Sequence, residues 1–288
     1  MSAPLPTLLS FGHGYSARAL APLLAGWRIV GTTRAAETAR ALEAEGVEAR
    51  IFPGDDLGPD IAAATHLLSS VAPDERGDPV LRDWGEAIAE AAPRLAWAGY
   101  LSTTGVYGDH GGGWVDEDTP LAPATRRGAM RVEAEAAWRA VPGLPLHVFR
   151  LAGIYGPGRG PFEKVRRGAA RRVIKPGQVF SRVHVEDIAR ALRLSIERPR
   201  PGAVYNLCDD DPAPPQEVLA FAAELLGLPP PPEVPFEEAD LSPMARSFYA
   251  ESKRVRNDRI KALGLRLAHP DYRSGLRAVL EAEARSAP

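Results

Sequence analysis

A chain of 288 residues with 45% hydrophobic and 25% charged residues has the composition of a globular protein with one large domain or a domain and a half. Its formal net charge of -2 excludes a general attraction to nucleic acid or to an anionic membrane surface. The single cysteine, Cys208, excludes an internal disulfide and a cysteine-based zinc cluster. We therefore expect a cytoplasmic protein with no nucleic-acid partner, no membrane association and no metal site.

The first predicted element is a strand that ends in a glycine turn and leads into a helix. Residues 8–20 read LLSFGHGYSARAL, an apolar run followed by two glycines and an alanine-rich segment. A dinucleotide-binding turn needs a glycine where the chain leaves the strand, a second where the backbone approaches a pyrophosphate, and a small residue where the helix packs on the strand. A turn without a ligand is the alternative. The predicted cofactor contacts are the residues of this turn: Gly12, His13, Gly14, Tyr15, Ser16 and Ala17.

A second strand, residues 27–30, leads into Gly31 and two threonines, and Arg34 follows them. At the end of this strand an acidic residue favours NAD, whereas an arginine accommodates the 2′-phosphate of NADP. Because no acid is present here, we predict NADP as the cofactor, with NAD as the alternative and with contacts at Thr33 and Arg34. A solvated position at the start of the helix 35–45 is the other interpretation of Arg34.

Strands and helices continue to alternate along the next part of the chain. Strands are predicted at residues 49–52, 66–70 and 99–102, and a helix at residues 79–92. This alternation predicts an α/β protein with a doubly wound parallel sheet. Further cofactor contacts are predicted where the third and fourth strands end, although a turn aspartate is an equally good interpretation of the first: Asp55, Ser70 and Val71.

The later motifs carry a resemblance to a known family. They are LSTTGVYGD (101–109), a helix at 125–141, LPLHVFRLAGIYGPG (144–158), SRVHVEDIARAL (181–192) and AVYNLCDD (203–210). In this order they resemble the extended short-chain dehydrogenase/reductase superfamily, which includes nucleotide-sugar epimerases and dehydratases. The resemblance implies a Rossmann domain and a smaller C-terminal substrate lobe, and it adds Ser102, Arg131 and Ile154 to the cofactor contacts. The implied bounds are 1–160 and 178–210 for the Rossmann domain, and 161–177 and 211–288 for the lobe.

The catalytic motif of the family is altered in this chain. The family uses a Ser or Thr after strand five and a Tyr-x-x-x-Lys on the next helix. Thr103, four residues before Tyr107, matches the hydroxyl residue, and the tyrosine and lysine positions hold Arg127 and Arg131. A guanidinium with a pKa above about 12 cannot act as a general base near neutral pH. An arginine pair suits a carboxylate or phosphate instead, and two solvated helix residues are the alternative.

Two functions remain open from the sequence. The first is an atypical family member that reduces, epimerises or dehydrates a small polar, anionic substrate. In this case Thr103, Tyr107, Arg127 and Arg131 form the candidate catalytic set. The second is a catalytically inactive NADP-binding sensor or regulatory protein. A homodimer is compatible with either. Asp187, in VEDIA, resembles a structural family residue that tethers its segment, and Tyr155 and His184 match positions near the family's cofactor pocket.

Overall fold

A computed structural model describes residues 5–286. The strands, in chain order, are β1 (Thr7–Phe11), β2 (Arg28–Thr33), β3 (Glu48–Ile51), β4 (His66–Ser69), β5 (Trp97–Thr103), β6 (Trp114–Val115), β7 (Leu146–Leu151), β8 (Gly153–Tyr155), β9 (Arg172–Ile174), β10 (Arg182–His184), β11 (Val204–Leu207), β12 (Glu233–Pro235) and β13 (Arg254–Val255). The α-helices are α1 (Tyr15–Leu20), α2 (Ala36–Ala44), α3 (Gly58–Ala63), α4 (Pro79–Ala91), α5 (Arg126–Arg139), α6 (Phe162–Arg166), α7 (Val185–Glu197), α8 (Pro215–Leu225), α9 (Pro243–Phe248), α10 (Asp258–Leu263) and α11 (Tyr272–Ser286).

Seven strands form the central sheet in the order β11-β7-β5-β4-β1-β2-β3, and every neighbouring pair is parallel. The order reverses between β1 and β4, which is the arrangement of a doubly wound Rossmann sheet. The predicted fold class is therefore confirmed. The carboxyl ends of β1, β2, β4 and β5 meet at one edge, where ligands bind in such sheets.

The apolar strands explain why this sheet lies in the interior. All five residues of β1 are buried, and successive side chains point to opposite faces. Leu8 accordingly packs in one core cluster with Trp97 and Phe149, whereas Leu9 packs in another with Tyr100. Helices cover both faces, so the sheet has an apolar layer on each side.

The structure extends and divides some of the predicted elements. The fifth strand is longer than the predicted 99–102 and reaches Thr103, and α3 was not predicted. The motif at 144–158 is divided between two strands: β7 ends at Leu151, and β8 leaves the sheet to pair with β10. The proline-rich connector at 228–236 contains β12, which pairs with β9 outside the central sheet.

A third apolar cluster joins the later segments of the chain. Phe162 of α6, Val218 of α8 and Leu276 of α11 pack together with Tyr155 and Tyr272. These elements belong mainly to the segments expected to form the substrate lobe. Within residues 5–286, no helix combines the length and hydropathy that crossing a bilayer requires.

Candidate dinucleotide and substrate site

The glycine turn after β1 is packed directly against the end of β4. Gly12 has a φ of +73°, a conformation that favours glycine. A Cβ built on Gly12 would lie 2.9 Å from Ser70 Oγ and 3.2 Å from Val71 Cγ2. The Ser70 hydroxyl donates to the Gly12 carbonyl oxygen, and Gly12 N donates to Thr32 Oγ1 at 2.8 Å. A side chain at position 12 would therefore disturb both the turn and the two strands beside it.

His13 lies inside the protein and not at the surface of the turn. Its side chain is 2% exposed, and its backbone N donates to the Thr32 carbonyl oxygen at 2.8 Å. A Cβ built on Gly31 would lie 2.7 Å from the imidazole Cγ, so β2 needs a glycine opposite this ring. Burial lowers the pKa of His13 to about 4. The neutral, enclosed ring supports the turn, which differs from the direct cofactor contact that we predicted.

The rest of the turn remains open to a ligand. Gly14 is exposed, and the nearest atom to a Cβ built there is the Gly12 carbonyl oxygen at 3.8 Å. The first hydrogen bond of α1 runs from Arg18 N to Gly14 O, so the N–H groups of residues 15–17 precede it. Ala17 is 1% exposed and packs in the core, as a small residue at this position should. Ser16 is buried beside it, and Tyr15 donates its hydroxyl hydrogen to the Pro157 carbonyl oxygen at 2.9 Å.

The end of β2 presents Arg34 to solvent, beside the half-buried Thr33. This is the position at which a dinucleotide fold meets the adenosine ribose. Asp55 is also exposed, but its Oδ2 accepts a hydrogen bond from Ile51 N at 2.7 Å. That bond closes the turn after β3 and favours the structural interpretation of Asp55.

Arg131 on α5 reaches the carboxyl edge of the sheet. Its Nη1 donates to Tyr100 Oη at 2.9 Å, to the Leu101 carbonyl oxygen at 3.0 Å and to the Val71 carbonyl oxygen at 3.3 Å. Nε and Nη2 donate to no other residue within 5–286, which leaves three N–H groups for a ligand. Since Val71 also contacts Gly12, the glycine turn, the β4 end and the guanidinium of Arg131 meet at one place.

The hydroxyl residues of β5 have different surroundings. Thr103 is half-buried, and its Oγ1 accepts a hydrogen bond from Gly105 N at 3.1 Å. Ser102 is buried and donates to Glu135 Oε1 at 2.5 Å, which favours a structural role over the predicted cofactor contact. Tyr107 is fully buried, and its hydroxyl donates to Asn206 Oδ1 at 2.7 Å and accepts from Arg150 at 3.0 Å. This placement favours a structural role for Tyr107.

Arg127 is exposed one helical turn before Arg131. Residues four apart return nearly to the same face of a helix, so both side chains leave α5 on one side. The adjacent Gly128 packs on the turn after β5, because a Cβ there would lie 2.8 Å from the Gly105 carbonyl oxygen. Ile154, the last predicted cofactor contact, is half-buried on β8 and pairs with Val183.

The protonation of the phenols limits the chemistry of the site. Burial raises the pKa of all seven tyrosines, and it raises that of Tyr100, beside Arg131, to about 12. Arg131 opposes this shift at Tyr100 without reversing it. No tyrosine of this chain is therefore poised to act as a phenolate base near neutral pH.

A cavity of about 210 Å³ lies next to β8 and β10. Tyr155, Arg159, Arg182 and Tyr272 line it together with apolar residues of α8 and α11. Arg182 Nη1 donates to the carbonyl oxygens of Phe180 and Ala213. The cavity combines two guanidinium groups with apolar walls, which suits a small ligand that carries a negative charge.

Asp209 is a buried acid that the sequence did not indicate. Its side-chain oxygens have no hydrogen-bond partner in the described part of the chain. Burial raises the pKa of Asp209 to about 8, although the nearby Arg182 opposes this shift. The only signal in the sequence was its place in AVYNLCDD, after β11.

A buried ion pair beneath the site was also missed. Arg150 of β7 donates to both carboxylate oxygens of Glu135, at 3.1 and 2.8 Å, and both side chains are buried. Glu135 also accepts the hydrogen bond from Ser102. A charged residue in the middle of an apolar strand, as in HVFRL, was the signal that could have revealed this pair.

The fold and the site together define a Rossmann-type protein whose first strand and helix are joined by a glycine turn. Protein YeeZ of Escherichia coli (strain K12) is 32% identical over 222 residues, which cover 72% of this chain and 78% of that protein. The chain belongs to the same family, within the NAD-dependent epimerase/dehydratase-like extended short-chain dehydrogenase/reductases. No family model matches the chain.

Solved structures agree with this assignment. A functionally unknown conserved protein from Silicibacter pomeroyi DSS is 62% identical, with a TM-score of 0.93 over 96% of this chain and 99% of that one. A putative NAD-dependent epimerase/dehydratase from Methylobacillus flagellatus is 28% identical, with a TM-score of 0.73 over 98% and 100%. MoeE5, solved with UDP-glucose and NAD, shares the fold at 22% identity, with a TM-score of 0.73 over 97% and 99%.

Proposed function

We propose that this protein binds NADP(H) at the glycine turn and acts as an atypical oxidoreductase, epimerase or dehydratase on a small anionic substrate. The observation that carries the proposal is the guanidinium of Arg131, which three hydrogen bonds hold at the sheet edge beside the turn. The residues fit a dinucleotide because Gly14 leaves open space where a pyrophosphate would approach. When bound, the nicotinamide would supply hydride transfer.

Arg131 would bind and orient, and it would not move a proton. Its three remaining N–H groups can hold a ribose hydroxyl or a substrate carboxylate, and its charge is permanent. Arg127, on the same side of α5, adds a second positive charge one helical turn from Arg131. We propose that the anionic part of the substrate binds between these arginines and the cavity that contains Arg159 and Arg182. Residues 161–177 and 211–288 would then form the substrate lobe.

Proton transfer in this proposal does not use a tyrosine. Since burial raises the pKa of every phenol, none would serve as a base near neutral pH, and a proton would be taken up by solvent or by the substrate itself, with the Thr103 hydroxyl as a relay. Thr103 is half-buried and lies at the end of β5, two residues after Leu101, whose carbonyl oxygen accepts from Arg131. It would position a substrate hydroxyl or carbonyl without acting as a base itself.

The cofactor part of the proposal is tested with Gly14→Val and a fluorescence titration of NADPH. The new side chain has room, so the variant should unfold at nearly the same denaturant concentration as the parent. It should bind NADPH at least about tenfold more weakly, because the branched side chain blocks the approach of the pyrophosphate. Equal affinity in the folded variant would contradict the assignment of the turn.

The substrate part is tested with Arg131→Met, Arg131→Lys and the control Arg126→Met. Arg126 is on the same helix, but it is exposed and pairs with the exposed Glu75. We expect oxidation of NADPH by carboxylated and phosphorylated carbonyl compounds to fall strongly in Arg131→Met, to recover partly in Arg131→Lys and to stay unchanged in Arg126→Met. Equal turnover in all variants would show that Arg131 is not part of the substrate site.

A catalytically inactive NADP-binding sensor is the second candidate. The raised pKa of all seven tyrosines and the arginine in the family's tyrosine position favour it. In that case the protein would bind NADPH and lose this binding in Gly14→Val, but it would oxidise NADPH with none of the carbonyl compounds. The two experiments therefore separate a failed cofactor site from a site without turnover.

A further inference from the structure

Three side chains with metal-binding atoms meet where α7 begins. The ligand atoms of His184, Glu186 and His269 all lie within 4.8 Å of one another. His269 Nε2 is 3.0 Å from Glu186 Oε2, and the two imidazole centroids are 4.0 Å apart. His269 is 83 residues beyond Glu186, so no spacing in the sequence could indicate this group.

The fold holds these side chains in place by other contacts. His184 is the last residue of β10, and its Nδ1 accepts a weak hydrogen bond from Glu186 N at 3.3 Å at the start of α7. The buried carboxylate of Asp187 accepts from Ala268 N at 2.7 Å and from His269 N at 3.0 Å. Asp187 thus positions the backbone of His269 over the start of α7.

One atom of the group is buried without a partner. His184 is 4% exposed, and its Nε2 has no hydrogen-bond partner in residues 5–286. Because Nδ1 accepts the bond from Glu186 N, the neutral ring carries its proton on Nε2, so Nδ1 is the nitrogen whose lone pair could bind an ion in place of that weak bond. Glu186, with 52% of its side chain exposed, gives the group a path to solvent.

We propose that His184, Glu186 and His269 form a binding site for a divalent transition-metal ion of the zinc class. Two imidazoles and one carboxylate are a ligand set that zinc uses, and three protein ligands leave a coordination position for water or another ligand. An imidazole nitrogen and a carboxylate oxygen 3.0 Å apart can bind one ion with bonds of about 2.0–2.2 Å after small rotations.

The charges around the group are compatible with a cation. The positive end of the α7 dipole opposes it, and Arg190 competes for Glu186 at 3.8 Å. Glu186 and Asp187 in the first turn of α7 offset both effects. The three residues are neither in the proposed cofactor turn nor in the lining of the cavity, so the failure of one proposal leaves the other standing.

The test is a calorimetric titration of the chelator-treated full-length protein with ZnCl₂ alone. We expect binding of one ion, weakened at least about tenfold in His269→Gln and in Glu186→Gln. His110→Gln is the matched control because His110 is a half-buried histidine outside the group, with Nε2 3.1 Å from the Tyr107 carbonyl oxygen. Its affinity for zinc should equal that of the parent.

Thermal unfolding distinguishes the loss of the metal site from the misfolding of a variant. Both variants retain the backbone bonds to Asp187, so without zinc they should unfold near the parent's temperature. Added zinc should raise the unfolding temperature of the parent and of His110→Gln but not that of the other two. X-ray absorption of the zinc complex should show two imidazole nitrogens and carboxylate oxygen. No binding by the parent, or equal binding by all variants, overturns the proposal.

Discussion

Arg34 is the residue on which the choice of cofactor depends. It is exposed where β2 ends. A charge-assisted contact with a 2′-phosphate contributes about 1.5–3 kcal/mol, so Arg34→Ala should weaken NADPH binding by roughly ten- to a hundredfold. NADH binding should not change, because NADH lacks that phosphate. The measurement is a fluorescence titration with both nucleotides.

Arg40→Ala is the control for this prediction, since Arg40 is an exposed arginine on the following helix, α2. It should leave both affinities unchanged. If Arg34→Ala and Arg40→Ala have the same NADPH affinity as the parent, Arg34 is a solvated residue that does not favour NADP over NAD.

Asp209 should make the stability of the protein depend on pH. Burial raises its pKa from 3.8 to about 8 in the folded protein, so between these values the folded state holds a proton that the unfolded state releases. The free energy of unfolding therefore falls as the pH rises through this window, by up to about 1.4 kcal/mol per pH unit for this group. Asp209→Asn removes the titration and should be the more stable protein at pH 7.

Urea unfolding at pH 5 and pH 7 checks this expectation. The free energy of unfolding of Asp209→Asn, relative to that of the parent, should be larger at pH 7 than at pH 5 by on the order of 2 kcal/mol. Asp240→Asn changes an exposed aspartate and should show no such growth. A constant difference between Asp209→Asn and the parent would mean that Asp209 does not titrate in this range.

Helix α5 positions Arg131, and a close contact at Gly128 fixes the start of this helix. An alanine inside a helix normally stabilises it by about 0.5–1 kcal/mol relative to glycine. At Gly128 the added Cβ would lie 2.8 Å from both the Gly105 carbonyl oxygen and Pro123 Cβ. Gly128→Ala should therefore lower the free energy of unfolding by about 1–3 kcal/mol.

Gly85 in α4 provides the matched control. A Cβ there meets only Leu81 Cβ, at 4.0 Å. Gly85→Ala should raise the free energy of unfolding by about 0.5–1 kcal/mol in the same urea experiment. If both substitutions stabilise the protein, α5 does not need its close approach to the turn after β5.

At the scale of the whole molecule, the buried Asp187 ties the segment before α11 to the helix layer of the sheet. Asp187→Ala would leave the N–H groups of Ala268 and His269 without their acceptor. His269 is buried, so its unpaired N–H group would cost about 1–3 kcal/mol, whereas water can reach the N–H of the exposed Ala268. Hydrogen exchange in residues 264–286 should become faster, while β1 and β5 keep their protection.

Asp187→Asn distinguishes this tether from a general loss of stability. Its amide retains one acceptor oxygen, so exchange in residues 264–286 should lie between that of the parent and that of Asp187→Ala. Equal acceleration across the central sheet in both variants would show that the C-terminal segment does not open separately.

The sequence by itself indicated the alternation of strands and helices and the glycine turn, and the family resemblance pointed to the arginines in the tyrosine and lysine positions. These features depend on local properties: side-chain periodicity, turn chemistry and residue identity at a fixed spacing. Gly12 with its positive φ and Ala17 in the core are where they were expected. Cofactor binding by Arg34, Thr33 and Ile154 stays a prediction.

Only the tertiary structure decided which of the candidate polar groups are enclosed by the protein and which stay accessible. His13, Ser102 and Tyr107 were candidates by position, yet β2, Glu135 and Asn206 enclose or bind them. The partner of Tyr107 is 99 residues away in the chain, and His269 is 83 residues from Glu186. Folding joins groups at such separations through packing that no local pattern encodes, because most buried polar atoms pair with whichever partner the fold brings near.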